Sequence, residues 1–156
     1  MSQEVSTVTL YFAYGLNMDG VAMKRRCPGA KPLRPAVLDG YRFCIGAKGG
    51  WGSLLRSPGD TVHGVLWRLS PRDVAALHAY EMVGKGLYSV QYLPVRCAGR
   101  PWRAMIYMLR NIRLGKARRG YLQAVIAAAR SWNFPEDYIH SLQRLTPAGV
   151  PPGRGN

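Results

Sequence analysis

The feature that most constrains the fold of this chain is a series of short segments with strand character, separated by turn residues. Within these segments β-branched and aromatic residues alternate with polar ones, as they do in half-buried strands. The predicted strands cover residues 5–14, 36–39, 41–47, 53–56, 61–69, 87–97 and 102–109. The predicted turns are rich in Gly, Pro, Asn and Asp and cover residues 15–17, 39–40, 48–50, 57–60 and 98–101.

Helical patterns are inserted among these strands and also follow them. A cap at Asp19 and a stop at Pro28-Gly29 predict a first helix over residues 20–27, and apolar spacing predicts helices over residues 71 to 80 or 81, 117–132 and 135–145. The second helix has the strongest start, because Ser70 supplies a cap oxygen, Pro71 suits the first helical position and Asp73 lies in the first turn. The predicted caps of the first and last helices are Asp19 and, as alternatives, Asn133 or Pro135.

Many short strands with inserted and appended helices predict an α+β fold, a small closed mixed β-barrel with inserted and C-terminal helices. The length of 156 residues suits one domain. We expect that domain to span residues 1–145, since no repeat or linker divides them. Residues 146–156 are rich in Pro and Gly and are predicted to form a disordered tail.

Several classes of protein are disfavoured by the sequence. No apolar run reaches the length of a spanning helix, so no membrane partner is expected. The N-terminus carries Glu4 and lacks a basic region followed by an apolar stretch, so it does not resemble a secretory signal. The scattered Cys27, Cys44 and Cys97 have no CxxC spacing, which predicts reduced thiols in a cytoplasmic protein without a metal or disulfide framework.

The charge balance is strongly basic, with 22 Lys and Arg residues against 8 Asp and Glu residues and a net charge of +14. Such a surface attracts nucleic acid, anionic lipid or an acidic small molecule. Alternatively, the basic charge reflects only a GC-rich genome, in which Arg is the default cation, and indicates no particular partner. A nucleic-acid-binding module is the weakest functional hypothesis, because the basic cluster at residues 110–119 lacks interleaved aromatic side chains for base stacking.

Scarce carboxylates single out one candidate for acid/base chemistry. Between Asp73 and Glu136 the only carboxylate is Glu81, at the C-terminal end of a predicted helix. The helix dipole disfavours an anion there by a few tenths to about 1 kcal/mol. If Glu81 also faces an apolar stripe, its pKa rises toward neutrality, where it can take and give a proton. A solvated surface glutamate is the alternative.

A second candidate feature is the turn Tyr14-Gly15-Leu16-Asn17, which follows a predicted strand and precedes a predicted helix. Gly15 permits a sharp turn, and the amides after it can converge on an anion or a carbonyl oxygen. An ordinary strand-to-helix connection could carry the same residues, so this turn alone does not establish a site.

Taken together, these features resemble the γ-glutamylcyclotransferase-like (AIG2-like) family. The matching segments are YFAYGLNM at residues 11–18, HGVLWRLSPRDVAALHAYE at 63–81 and VGKGLY at 83–88. The family pattern runs YFAYGSNM, then GxxW, a short helix ending in E-G-V, and GxY. Tyr107 within AMIYML, and Tyr121 ahead of AARSWNFPEDYIHSL, extend the resemblance to about residue 145.

The resemblance implies a cofactor-free and metal-free enzyme that cyclises a small γ-glutamyl compound to 5-oxoproline and releases an amine. It implies that Glu81 is the catalytic acid/base. It also implies that a substrate-holding loop is formed by Tyr11, Phe12, Ala13, Tyr14, Gly15, Leu16 and Asn17. Tyr88, Tyr107 and Tyr121 match tyrosines that line the family's pocket, although each could equally serve in packing. We expect a monomer or a homodimer.

Two residues depart from the family pattern. Leu16 replaces its loop Ser, and Met82 replaces the Gly after its catalytic Glu. If that Gly has positive φ, a side chain there costs about 1 kcal/mol or more and could re-aim Glu81. The alternative hypothesis is therefore a γ-glutamyl-binding protein of the same fold that is catalytically idle or altered in specificity.

Overall fold

The computed structural model describes residues 8–145, and within them five strands close a barrel in the order β1-β3-β2-β4-β5. The strands are β1 (Thr9–Ala13), β2 (Lys31–Ile45), β3 (Gly52–Leu69), β4 (Tyr88–Cys97) and β5 (Arg100–Leu109). Neighbouring strands are antiparallel except β1 and β5, which pair in parallel at Tyr11 and Met105. The predicted closed mixed barrel is therefore confirmed.

Helices lie between the strands and after them. In the described part of the chain they are α1 (Gly20–Arg26), α2 (Pro71–Tyr80), α3 (Tyr121–Ser131) and α4 (Glu136–Gln143), together with 3-10 turns at Leu16–Met18 and Val83–Lys85. None of the helices within residues 8–145 is both long and apolar enough to cross a membrane. The proposed tail, 146–156, and the start of the first predicted strand, 5–7, lie outside the described residues.

The sequence predicted four short strands, 36–39, 41–47, 53–56 and 61–69, where the structure has only the two long strands β2 and β3, so this prediction is wrong. Strand β2 runs through Gly40, and β3 runs through residues 57–60. Asp39 pairs with Thr61 and Tyr41 with Arg56, so residues 57–60 form a bulge opposite Gly40. Gly40 has φ 85°, which lets the strand accommodate this break in register without a turn. The result is one long hairpin that supplies much of the barrel wall.

The third helix begins later than predicted, at Tyr121 instead of residue 117. The backbone before it is committed to long-range contacts: the Arg118 N–H donates to the Gly50 carbonyl at 3.1 Å, and the Gly115 N–H donates to the Ile45 carbonyl at 3.0 Å. Gly120, with φ 81°, then turns the chain into the helix. The last helix is also shorter than predicted, with Pro135 at its N-terminal cap position.

The predicted start of α2 is confirmed in atomic detail. The Ser70 hydroxyl accepts from the Asp73 N–H at 3.2 Å, and the Asp73 carboxylate accepts from the Ser70 N–H at 3.2 Å. Asp73 is 3% exposed, and the Cys27 thiol at the end of α1 donates to its carbonyl at 3.5 Å. This cap fixes where α2 begins and therefore where its last turn places Glu81.

The C-terminal helices cover the outer surface of the barrel. The ring of His63 on β3 lies 4.7 Å from that of Tyr138 and 5.7 Å from that of Phe134. The Trp132 indole N–H, just after α3, donates to the Met18 carbonyl at 2.8 Å. These contacts explain why residues 64–67 of β3 are buried on both faces, and they hold the Leu16–Met18 turn against the end of α3.

Candidate active site

A pocket of about 190 Å³ opens where β1 passes into the Leu16–Met18 turn and where α2 ends. Its walls come from turns, strands and the end of α2. The described residues that line it are Tyr11, Tyr14, Gly15, Leu16, Asn17, Trp51, Gly52, Tyr80, Glu81, Met82, Leu87, Tyr88, Tyr107 and Tyr121. The structure thus brings together nine of the eleven residues that the sequence suggested.

Phe12 and Ala13 are the two that lie elsewhere, with 0% and 1% of their surface exposed. A Cβ added to Gly64 of β3 would stand 2.5 Å from the Phe12 ring and 2.5 Å from the Ala13 carbonyl oxygen. The Phe12 ring therefore packs against β3, and Ala13 contacts β3 through its backbone, where it pairs with Val65. The structure gives no support for a direct contact of their side chains with substrate.

Glu81 occupies the C-terminal cap position of α2, where its N–H donates to the Leu77 carbonyl at 2.8 Å. Its carboxylate faces the pocket and has no hydrogen-bond or ion-pair partner among residues 8–145. Burial raises the pKa of Glu81 to about 7, against a smaller opposing effect of the Arg26 charge. A carboxyl group with this pKa can both accept and donate a proton near neutral pH.

Arg26, at the end of α1, connects three parts of the site. Its guanidinium donates to the Asn17 side-chain oxygen and, at 2.6 Å, to the Tyr80 hydroxyl. It also lies 3.9 Å from the centre of the Tyr80 ring. The Asn17 amide in turn donates to the Tyr11 hydroxyl at 3.0 Å. This network fixes the orientation of Asn17, which is buried at the pocket wall.

Hydrogen bonds hold the other tyrosine side chains in place. The Tyr14 hydroxyl donates to the Tyr107 carbonyl, and the Tyr88 hydroxyl donates to the Gly52 carbonyl at 2.9 Å. The Tyr107 hydroxyl lies 2.6 Å from Nδ1 of His78 on α2. Burial, with a further contribution from the Glu81 charge, raises the pKa of Tyr11, Tyr14, Tyr88, Tyr107 and Tyr121. These phenols stay protonated and act as hydrogen-bonding groups, not as bases.

Glycine is required where Tyr121 approaches the turn. A Cβ added to Gly15 would stand 2.8 Å from the Tyr121 hydroxyl oxygen, and one added to Gly52 would stand 2.5 Å from it. Gly15 has φ −122°, so here glycine provides space and not a left-handed backbone. The first amides of the Leu16–Met18 turn have no acceptor within that helical turn, and they border the pocket.

Arg26, Tyr80 and Trp51 are among the contributors to the site that were not predicted from sequence, as are the wall residues Gly52 and Leu87. Trp51 packs edge-to-face on Tyr121, with ring centres 5.7 Å apart, and the Arg118 guanidinium lies 4.0 Å from its ring centre. The double glycine ahead of Trp51 was a signal for a turn at this position, but a turn does not reveal which pocket its neighbours line. Arg26 looks like an ordinary basic residue in the last turn of a helix.

Residues 61–142 match the sequence profile of the AIG2-like family. This chain belongs to the AIG2-like family. Gamma-glutamylcyclotransferase of mouse is 27% identical to it, over 88% of this chain and 79% of the mouse protein. The human protein of the same name is 26% identical with the same coverage. A solved structure titled gamma-glutamyl cyclotransferase superposes with a TM-score of 0.84 at 24% identity, over 96% of this chain and 94% of that chain, which shows a shared fold.

The two departures from the AIG2-like pattern both lie in the pocket. Leu16 and Met82 line its wall. Met82 has φ 54° and ψ 40°, which is the left-handed region. A side chain at this position therefore carries the backbone cost that glycine would avoid. Because the backbone is nevertheless left-handed there, this AIG2-like chain keeps the turn geometry that glycine would favour and presents Glu81 to the pocket.

Proposed function

We propose that this chain is a γ-glutamylcyclotransferase-type enzyme that converts the γ-glutamyl group of a γ-glutamyl amino acid or amine to 5-oxoproline and releases the amine. The mouse and human relatives named gamma-glutamylcyclotransferase support this activity. The main support for the proposal is the setting of Glu81. It is the only carboxylate among the described residues of the pocket, and burial raises its pKa to about 7.

The reaction forms a bond between the substrate's α-nitrogen and its γ-carbonyl carbon, and breaks the bond from that carbon to the leaving nitrogen. The α-ammonium must lose protons before it can attack, and the leaving nitrogen must gain one. A single carboxylate placed between the two nitrogens can accept the first proton and return it to the second. Glu81 suits both steps because its pKa lies near neutral pH.

The remaining pocket residues have a positioning role in this proposal. Ring closure is intramolecular, so the enzyme gains most from holding the glutamyl group in its reactive conformation. In this role, amides of the Leu16–Met18 turn, which borders the pocket, would grip the glutamyl group or stabilise the tetrahedral oxyanion. The protonated phenols of Tyr88, Tyr107 and Tyr121 border the same space.

The direct test is release of 5-oxoproline from a panel of γ-glutamyl amino acids and γ-glutamyl amines. We expect wild-type protein to release it and Glu81→Gln to lose at least about 100-fold in kcat, since the variant lacks the acid/base group. Glu81→Gln preserves side-chain size, and circular dichroism checks its fold. Equal release by the two proteins, or none by either, would contradict the proposal.

A second candidate is a γ-glutamyl-binding protein of the same fold with idle or redirected chemistry. Leu16 and the left-handed Met82 in the pocket favour it. On this alternative, Leu16→Ser combined with Met82→Gly creates 5-oxoproline release that the parent lacks. A parent that is already fully active in the same assay rules the alternative out.

The three cysteines fit a reducing compartment, and we infer a cytoplasmic location from them. Cys27, Cys44 and Cys97 are buried free thiols. Burial raises the pKa of Cys27 and of Cys44 to about 11, which disfavours the reactive thiolate at neutral pH. They are therefore poor candidates for a competing nucleophile in the proposed reaction.

A further inference from the structure

A second and larger concavity, of about 430 Å³, adjoins the tyrosine-lined pocket. The two share Trp51, Met82 and Leu87 as wall residues. Met82 directly follows Glu81 in the chain, so the concavity begins beside the acid/base group. A molecule held at Glu81 and too long for the small pocket therefore has this space to extend into. We call the concavity the basic groove.

The charge of the basic groove is one-sided. Lys48 comes from the loop between β2 and β3, Lys85 from the 3-10 turn after α2, and Arg110 from the end of β5. These three residues come from separate parts of the chain to line the groove, and among residues 8–145 none of them forms an ion pair. No Asp or Glu within the described residues lines the groove.

Further features strengthen the field at the junction with the small pocket. The Arg118 guanidinium lies 4.0 Å from the centre of the ring of Trp51, a residue that lines both spaces. The Arg110 N–H donates to the Leu87 carbonyl at 3.2 Å, and a Cβ on Gly86 would stand 4.0 Å from the Arg110 side chain. Arg110 is thus anchored beside Leu87. Cations that line a concave surface without counter-ions focus a field that attracts anions.

We propose that the basic groove is the leaving-group subsite and that it selects γ-glutamyl substrates whose leaving amine carries more than one negative charge, such as an acidic amino acid or a short acidic peptide. This inference rests on the proposed cyclotransferase function. The γ-glutamyl end fits the small pocket, where Glu81 protonates the leaving nitrogen as the carbon–nitrogen bond breaks. The released amine then lies in the groove, with its carboxylates toward Lys48, Lys85 and Arg110.

Neutralisation by the groove explains how an acidic leaving group could lie near Glu81. An ionised Glu81 repels a second carboxylate, and this repulsion is strong where water is scarce. The cations of the basic groove offset this repulsion and attract the leaving group's carboxylates away from Glu81. A neutral leaving amine gains nothing from these cations, so the groove discriminates by charge.

The test uses three substrates with the same γ-glutamyl group: γ-glutamylglutamate, γ-glutamylalanine and γ-glutamylethylamide. Their leaving amines carry two, one and no carboxylates, whereas the reacting atoms are the same. We expect the kcat/KM for 5-oxoproline release to rise with the number of carboxylates, mainly through a lower KM. The preference should shrink when salt is raised from about 0.01 M to about 1 M, because the Debye length falls from about 30 Å to about 3 Å.

The decisive variant combines Lys48→Gln, Lys85→Gln and Arg110→Gln. Its ratio of kcat/KM for γ-glutamylglutamate over γ-glutamylethylamide should fall about tenfold, as expected for losing a few exposed charge contacts. Because each ratio is measured within one protein, a general loss of activity cancels. The matched control combines replacements by Gln of three exposed cations outside both concavities: Lys24, Lys31 and Arg34. It removes the same charge and should keep the wild-type ratio.

The possible outcomes separate the two proposals. If wild type releases 5-oxoproline from all three substrates without a charge preference, or the groove variant keeps the preference, the leaving-group subsite is wrong and the proposed function stands. If both triple variants lose the preference equally, the net charge and not the groove is responsible, and the subsite is again wrong. If no substrate yields 5-oxoproline, the proposed function fails and the subsite fails with it.

Discussion

At the scale of single residues, Arg26 sets a limit on how far the Glu81 pKa rises. Burial raises it to about 7, and the Arg26 charge acts against that rise. Since Glu81 must be ionised to accept a proton from the substrate ammonium, kcat/KM should increase with pH along a limb with a midpoint near 7. Arg26→Met removes the opposing charge, so we expect this midpoint to move to higher pH.

The measurement is a pH–rate profile of 5-oxoproline release for wild type, Arg26→Met and Arg25→Met. Arg25 is the exposed neighbour on the same helix and does not line the pocket, so its replacement controls for lost charge. Arg26→Met also removes the hydrogen bond to Asn17, and for this reason the midpoint and not the rate is the criterion. A midpoint that stays in place or moves to lower pH in Arg26→Met would show that Arg26 does not act on Glu81.

Sequence and structure agree at the residue scale where a residue has a distinctive local setting. Glu81 could be predicted because carboxylates are scarce and it ends a helix with a clear cap at Ser70. Arg26 and Tyr80 could not, because they meet only when α1 packs beside the end of α2, 54 residues apart in the chain. Local pattern carries no information about that contact.

At the scale of elements, the most consequential junction is the one between α2 and β4, built around Met82. Its N–H donates to the Ala79 carbonyl at 3.2 Å, and its own carbonyl accepts from Lys85 at 3.1 Å and from Leu87 at 3.3 Å. Met82 is left-handed, with φ 54°, and 40% exposed, so its side chain gains little from burial that would offset the backbone cost. Met82→Gly should therefore raise the free energy of unfolding by up to about 1 kcal/mol.

Urea denaturation of wild type, Met82→Gly and Met82→Ala tests this expectation. Alanine removes the long side chain but keeps the left-handed cost, so Met82→Ala should show no gain in stability. If glycine and alanine have the same effect, the strain at this junction is not what limits stability. The comparison thus separates backbone conformation from side-chain packing.

The bounds of helices and strands could be predicted where neighbouring residues in the sequence decide them. The predictions failed where pairing with distant residues decides them. The start of α2 follows from Ser70-Pro71 alone. By contrast, the turn chemistry of residues 57–60 is the same in a hairpin turn and in a bulge, and only the pairing of β2 with β3 decides between them. The predicted helix start at residue 117 failed for a related reason, since Gly50 binds the backbone that would have formed the first turn.

At the scale of the whole molecule, the barrel holds the Glu81 carboxyl in a setting that favours its protonated form. The fold is therefore destabilised at the pH values at which Glu81 is ionised. The pKa of Glu81 is about 7 in the fold, whereas an exposed glutamate has a value of 4.5. The folded state therefore binds the proton more tightly than the unfolded state. Between pH 4.5 and 7 unfolding releases this proton, so the contribution of Glu81 to stability falls as pH rises, and it levels off above pH 7.

The side chain of Gln in Glu81→Gln is neutral at every pH, so this variant should not lose stability as pH rises through the pKa of Glu81. We expect the free energy of unfolding of Glu81→Gln minus that of wild type to grow by about 1–3 kcal/mol between pH 4.5 and 8, taking about 1.4 kcal/mol per pH unit and allowing for the partial exposure of the site. Urea denaturation at several pH values measures it, with the exposed Asp137→Asn as the control for net charge. A difference that is constant over this range, or that shrinks as pH rises, would mean that the fold does not hold Glu81 in its protonated form.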